Sequence, residues 1–311
     1  MRIALALAGL LVAAAAQAVS ARSGLVLLSM GDHYAVMRAG GQRLQEVLRL
    51  GRSVSYGESD DAFVFLTDRF AEVGTWVAEI VDKQTHTVVW SHPISATPVI
   101  MLQGTVKDVL LTRRAVYFVS VRRVESPADL NSAGGFFDLN VLSRVDGREE
   151  VIPLPRDMGT SLSNESGVVV LRNRDGTEWR VNVANRALEP VENTTDLSAL
   201  ERGNADEVRE RFRVLYKGAV AIGVVRGRGR EHEQWTLAYV DPLKKTDLWE
   251  KPLPDSVQPE SVFVGPDGWN YYIDTKSGAV TGISGEPGTR ELWKLPTDYL
   301  FDAHILEIDA E

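Results

Sequence analysis

The chain of 311 residues contains no cysteine. That excludes disulfides, thiolate metal sites, a cysteine nucleophile and the acylated cysteine of a bacterial lipoprotein. Basic excess is lacking too: 34 Lys and Arg stand against 43 Asp and Glu, a net charge of −9, which argues against a general nucleic-acid binder. Beyond the first residues no run approaches the ~18 consecutive apolar residues of a membrane-spanning helix. There is no Gly-x-Ser-x-Gly elbow and no phosphate-binding glycine loop. The five histidines, His33, His86, His92, His232 and His304, never fall at the i, i+2 or i, i+4 spacings that usually betray zinc or iron sites.

Apolar residues make up 44% of the chain, ample for a sizeable core that must hold by packing alone. At the N-terminus, Arg2 precedes an apolar run from Ile3 to Ala16 that is short for a bilayer span, and Ala16-Gln17-Ala18 is a small-x-small cleavage pattern. A second such pattern, Val19-Ser20-Ala21, follows. Residues 1–18 are therefore expected to be a secretory signal peptide, and the remainder a secreted or otherwise extracytoplasmic protein. That places it in the endoplasmic reticulum lumen or secretory pathway of a eukaryote, or the periplasm or exterior of a bacterium.

One 20-residue stretch occurs twice. Thr75–Ile94 and Gln234–Leu253 align without a gap and share Trp76/Trp235, Val81/Val240, Asp82/Asp241, Trp90/Trp249 and Pro93/Pro252. The ending recurs as Leu292-Trp293-Lys294-Leu295-Pro296, and in degraded form as Val151–Pro155 and Ala187–Pro190. Between these endings lie short β-branched or alternating runs such as Gly24–Leu28, Ala62–Thr67, Val116–Val121, Gly167–Leu171, Ala219–Val225 and Ser261–Val264. A period of about 40 residues with about four strands per unit is the mark of a β-propeller. Blades are expected over 51–95, 96–155, 156–192, 208–254 and 255–297. The three strands of Gly24–Leu50 would combine with a lone C-terminal strand in Asp302–Asp309 to close the ring. The count favours six blades, and seven is also allowed. A single all-β domain over 22–311 is expected, with insertions near Arg123–Gly135 and Asn193–Glu207. Leu197–Phe212 is the one stretch that reads as a short surface helix.

In the repeat an aspartate ends one strand, a turn follows, and tryptophan comes eight positions later, as in Asp82 to Trp90 and Asp241 to Trp249. Asp274–Gly278 keeps the aspartate and a turn glycine without that tryptophan. The pattern resembles the repeat of quinoprotein-type (PQQ-like) β-propellers, in which an Asp-x-x-Thr-Gly turn leads to a strand closing on Trp. His86 and Lys245 replace the turn glycine in the two main copies. The resemblance implies that Trp76, Trp90, Trp235, Trp249 and Trp293 dock between blades, with Asp82 and Asp241 shaping turns. Tryptophan rings bury a large apolar area and can satisfy their N–H on a carbonyl, so they need no ligand. The quinone enzymes would add a bound calcium ion, an acidic base and often a disulfide of adjacent cysteines. The last is impossible here and no acidic cluster marks a calcium site, so no cofactor and no metal is expected. Signal peptide, divergent repeats and sequons are also similar, more weakly, to the luminal propeller of the ER membrane protein complex subunit 1 family.

Other motifs read as surface features. Arg226-Gly227-Arg228-Gly229-Arg230 reads as a solvated hairpin loop and Gly159–Ser163 as a loop opening a blade. The sequons at Asn164 and Asn193, glycosylation acceptors if the source is eukaryotic, are expected in loops. His33 and His304 should share the closing blade. The expectation is a non-enzymatic scaffold that binds protein partners through loops and insertions. The alternatives are a channel-centred enzyme, such as a glycan lyase or lactone hydrolase, and a small-molecule-binding propeller.

Overall fold

The computed structural model describes residues 22–40, 43–68, 75–98, 109–122, 134–155, 161–165, 168–172, 178–191, 211–217, 222–228, 234–241, 246–257, 261–265, 269–284, 289–300 and 302–309. The signal segment, the insertion at 193–207 and most of that at 123–135 lie outside these residues, as does Asn193.

The protein is an all-β propeller, and its described residues form six four-stranded antiparallel sheets. The first blade holds β1 (Ser23–Ser29), β2 (Tyr34–Gly40) and β3 (Arg43–Arg49). The second holds β4 (Val54–Glu58), β5 (Ala62–Asp68), β6 (Trp76–Asp82) and β7 (Val88–Ile94). The third runs through β8 (Val109–Leu111), β9 (Ala115–Val121), β10 (Gly134–Ser143) and β11 (Glu149–Pro155). The fourth comprises β12 (Ser161–Glu165), β13 (Val168–Arg172), β14 (Glu178–Asn182) and β15 (Ala187–Pro190). The fifth comprises β16 (Arg211–Lys217), β17 (Ile222–Arg228), β18 (Gln234–Asp241) and β19 (Thr246–Pro252). The sixth comprises β20 (Phe263–Val264), β21 (Asn270–Ile273), β22 (Ala279–Ile283) and β23 (Thr289–Lys294).

The last strand, β24 (His304–Ile308), completes the first blade in the order β24-β1-β2-β3. Gly24 pairs with Ile308, Leu25 with Glu307, Val26 with Ile305 and Leu27 with His304. The first and last described strands thus share one sheet, which closes the ring, with an innermost strand of each blade at the axis and an outermost one at the rim. First strands meet near the axis: β4 lies against β8, and a Cβ on Gly57 would collide with the Val109 carbonyl, so only glycine fits there.

The first, second, third and sixth blades are covered on both faces, which is why their strands read as apolar runs with little alternation. In β5, Phe63 and Phe65 pack toward the first blade with Leu25, Leu27 and Val36, while Val64 and Leu66 pack toward the third with Val109, Val116 and Phe118. In β1, Val26 and Leu28 join Tyr271, Ile273, Val280 and Trp293 of the sixth blade. Adjacent side chains on a strand point to opposite faces, so successive residues serve successive junctions.

Several local expectations are corrected. Arg211 and Phe212 open strand β16 instead of ending a helix, and 197–210 lie outside the described residues. Arg226, Gly227 and Arg228 are strand, not loop: Gly227 sits between Arg211 and Trp235, and Arg228 pairs with Gln234. Ser161, Ser163 and Asn164 belong to β12, with Asn164 opposite Val169, so this sequon is not in a loop. The β19 partner of Asp241 is Thr246. Among the described residues no helix is long and apolar enough to cross a membrane.

Candidate functional site

The repeat aspartate is a turn builder. Asp82 Oδ1 accepts the backbone N–H groups of Gln84 (3.0 Å) and Thr85 (2.7 Å) and the Thr85 hydroxyl (2.9 Å). Four residues on, His86 takes the left-handed conformation (φ 55°) and donates its N–H to the Asp82 carbonyl. The same device recurs with other side chains. Ser143 Oγ accepts the N–H groups of Val145 and Asp146 before Gly147 (φ 70°), and Asn182 Oδ1 accepts that of Asn185 before Arg186 (φ 50°). These three turns join third to fourth strands. Asp274 and Gly278 (φ 73°) build the same turn between the second and third strands, β21 and β22. The displaced position explains the missing tryptophan, since Trp293 lies one strand further on.

The tryptophans divide by depth. Trp76 and Trp293 are buried between sheets. Trp293 Nε1 donates to the Arg22 carbonyl at 2.9 Å, and its ring lies where a Cβ on Gly24 would be. Trp90 is partly buried against the same cluster as Trp76, and Trp235 and Trp249 against the junction of the fifth and sixth blades. Trp90 stacks on His92 at 5.7 Å, and Lys251 Nζ lies 5.9 Å from the Trp249 ring. The side chain of Asp241 is outside the described residues.

The ionisable group most suggestive of chemistry is one the sequence did not link. Two residues before β24, Asp302 (φ 67°) accepts the Tyr34 hydroxyl at 2.5 Å on one carboxylate oxygen and meets His304 Nε2 at 2.9 Å with the other. The Tyr56 ring, from β4, lies 5.9 Å from that of His304. The hydrogen bond from His304, then that from Tyr34, hold the Asp302 carboxyl below its ordinary range against the opposing effect of burial. Burial, then the neighbouring carboxylate, push the Tyr34 phenol well up, so it stays a neutral donor. His304 Nδ1 is shielded from solvent and has no hydrogen-bond partner. The imidazole thus has one nitrogen on Asp302 and the other turned away from solvent. The cluster ties the approach to the last strand to the first residue of β2.

His33 does not join it. It contacts Asp32 (2.7 Å), Arg49 (3.3 Å) and, more loosely, Glu46 (3.9 Å). At the other end of the same seam, Asp309 contacts Ser23 and Arg38, and Lys83 pairs with Glu58 at 3.0 Å. Glu307 is raised by burial, with Lys83 partly offsetting that. Among the described residues no group of three or more His, Asp or Glu side chains is placed to hold a metal ion.

The outer rim carries a different signal. Among the described residues the exposed large apolar side chains are Val88 and Val89 on β7, Val151 on β11, Leu248 on β19, Val145 in the turn before β11, and Val121 at the end of β9. All but Val121 lie on outermost strands or the turn feeding one, and Val121 stands at the base of the 123–135 insertion.

No protein-family model and no curated protein matches the chain. Among solved structures it is similar to a putative 6-phosphogluconolactonase from Bacteroides fragilis, at 8% identity over 94% of this chain and 99% of that one, with a TM-score of 0.48. It is also similar to TolB from Acinetobacter baumannii, at 12% identity over 89% and 68% of the two chains, with a TM-score of 0.45. A third is a variant of Synechocystis apocarotenoid oxygenase, at 12% identity over 91% and 73%, with a TM-score of 0.45. At these identities the likeness is one of architecture and carries no activity across.

Proposed function

We propose that this chain is an extracytoplasmic propeller that binds other proteins through its rim and insertions, without catalysing a reaction. The observation that carries the reading is the exposed apolar set just described: valines and a leucine, one 86% exposed, concentrated on the outer edges of a closed ring. Scattered exposed apolar residues are ordinary, but their concentration on sheet edges is where partners pair. The signal-like N-terminus supports a luminal or periplasmic setting. The Trp–Asp hairpins support a divergent quinoprotein-type repeat, and the ER membrane protein complex subunit 1 family is the scaffold it would most resemble. A channel-centred enzyme would need ionisable groups with reactive atoms open to substrate, whereas the Asp302–His304–Tyr34 cluster is committed internally.

The test is chemical cross-linking in the native compartment, comparing the wild type with the Val89→Asp, Val151→Asp, Leu248→Asp triple variant. Exposed positions should tolerate these changes, leaving Tm within a few degrees. Partners cross-linked to the wild type should be lost from the variant; recovery of the same partners at the same yield would overturn the rim reading.

A further inference from the structure

Each described blade has two edge strands, an innermost one facing the axis and an outermost one at the rim, and the six at the rim differ in how they are guarded. An outermost strand presents one row of unpaired N–H and C=O groups, and proteins blunt such edges with charge and proline. β3 carries Arg43, Glu46 and Arg49; β11 carries Glu149, Glu150, Pro153 and Pro155; β15 carries Glu189 and Pro190. β19 carries Asp247, Glu250, Lys251 and Pro252, and β23 carries Arg290, Glu291 and Lys294. β7, reading Val-Val-Trp-Ser-His-Pro-Ile, is the one outermost strand with no Asp, Glu, Lys or Arg. Val88 and Val89 on it are 41% and 57% exposed.

We propose that β7 is the docking edge for an extended, uncharged segment of a partner protein, which adds to the second blade as a fifth strand; this rests on the rim reading above. What satisfies a row of unpaired backbone groups is another extended backbone, with side chains supplying preference. Both faces of β7 offer apolar contact. Trp90 and His92 stack on one another, and the His92 ring lies against Gly147, in the turn that carries exposed Val145. Val88 pairs with Val81, which packs on the opposite face of the blade from Ile80, the partner of Trp90, so Val88 presents the other face across the register shift at Val89. An added strand with apolar residues at alternate positions would meet a surface on each side. Pro93 has no N–H, so pairing runs along Val88–His92 and stops.

That short length selects the occupant. Two rigid rings meeting edge to edge along these residues would bury far less than the roughly 1,200 Å² of a specific dimer. A flexible segment can pair with the edge and fold over both faces. Charge agrees, because a neutral strand pays no desolvation of ions against Val88 and Val89.

The experiment selects random linear peptides, about a dozen residues long and displayed on phage, against the purified protein. Binding of the selected synthetic peptides is then measured to the wild type, to Val89→Lys and to Ser91→Pro, and hydrogen exchange of the β7 amides is followed with and without peptide. Neutral peptides with alternating apolar residues should emerge and slow exchange at Val89 or Ser91. Kd should rise at least about tenfold for Val89→Lys, which blocks the edge without altering the backbone. Ser91→Pro should abolish binding, and its circular dichroism shows whether the strand itself survived. Failure to select binders, equal binding to Val89→Lys, protection on another strand, or dimerisation of the protein through β7 would each overturn the proposal. Those outcomes leave the rim reading standing, because a Val151→Asp, Leu248→Asp variant with β7 intact tests it in the same cross-linking experiment. Persistence of native partners in the triple variant sinks the rim reading even where peptides dock on β7.

Discussion

Asp302 shows how a single residue can join distant parts of the chain. Its carboxylate holds Tyr34, 268 positions earlier, and His304, and it does so only because β24 pairs with β1. No spacing rule reveals such a cluster; the sequence placed His33 and His304 in one blade but could not tell that His304 alone reaches the carboxylate. The sign of its pH effect follows from the depressed carboxyl. A lowered folded pKa contributes stability above the ordinary value of about 4, and that stability disappears as pH falls through the folded value. Asp302→Asn, which tolerates the left-handed backbone, should cost about 1 kcal/mol at pH 7, a figure kept small because the carboxylate is 40% exposed. The difference between variant and wild type should shrink as urea titrations move from pH 6 to pH 2. A constant difference across that range would mean the carboxylate's charge contributes nothing. Depth, too, decides at this scale. Trp293→Ala should lose about 3–5 kcal/mol, since its ring is buried and its N–H bonded, whereas the half-buried Trp249 should lose less on the same substitution. Calorimetry that ranks Trp249 above Trp293 would contradict the placement of both rings.

Elements were more legible than clusters, for a physical reason. A strand with both faces covered needs apolar residues on both, so β1, β5 and β9 stand out as runs. The third-to-fourth turns were legible through Asp82 because an aspartate caps a turn by purely local hydrogen bonds. The same turn with Ser143 or Asn182 passed unnoticed, since those side chains do the same work without the repeat's consensus. The Arg-Gly tract misled in the opposite direction: its composition suggests solvent, but the blade's length requires Arg226–Arg228 as strand. His86 gives the element-scale test. It holds a left-handed conformation that costs a side-chain-bearing residue about 1 kcal/mol, while glycine pays part of that back in unfolded-chain entropy. His86→Gly should leave the protein equally stable or up to about 0.5 kcal/mol more stable in urea titration. A loss above about 1 kcal/mol would show that the imidazole makes a contact the turn depends on.

At the scale of the whole molecule, the period of about 40 residues sufficed to place the blades because every blade repeats one plan of four antiparallel strands. The described residues form six four-stranded sheets, in line with the favoured count. Function was less legible, because which strands end a sheet at the rim is decided by how all the strands pair and not by any local pattern. Closure by β24 is the central claim of the whole-ring account. The chain's lack of cysteine makes that closure directly measurable. Val26 and Ile305 are register partners and share one buried cluster, so their Cβ atoms face the same way. Paired antiparallel residues sit about 4.5–5.5 Å apart at Cα, inside disulfide range. Oxidised Val26→Cys, Ile305→Cys protein should form one intramolecular disulfide, run faster than its reduced form on a denaturing gel and remain monomeric. Free thiols under the same oxidation, or cross-links only between molecules, would mean that the last strand does not close the ring.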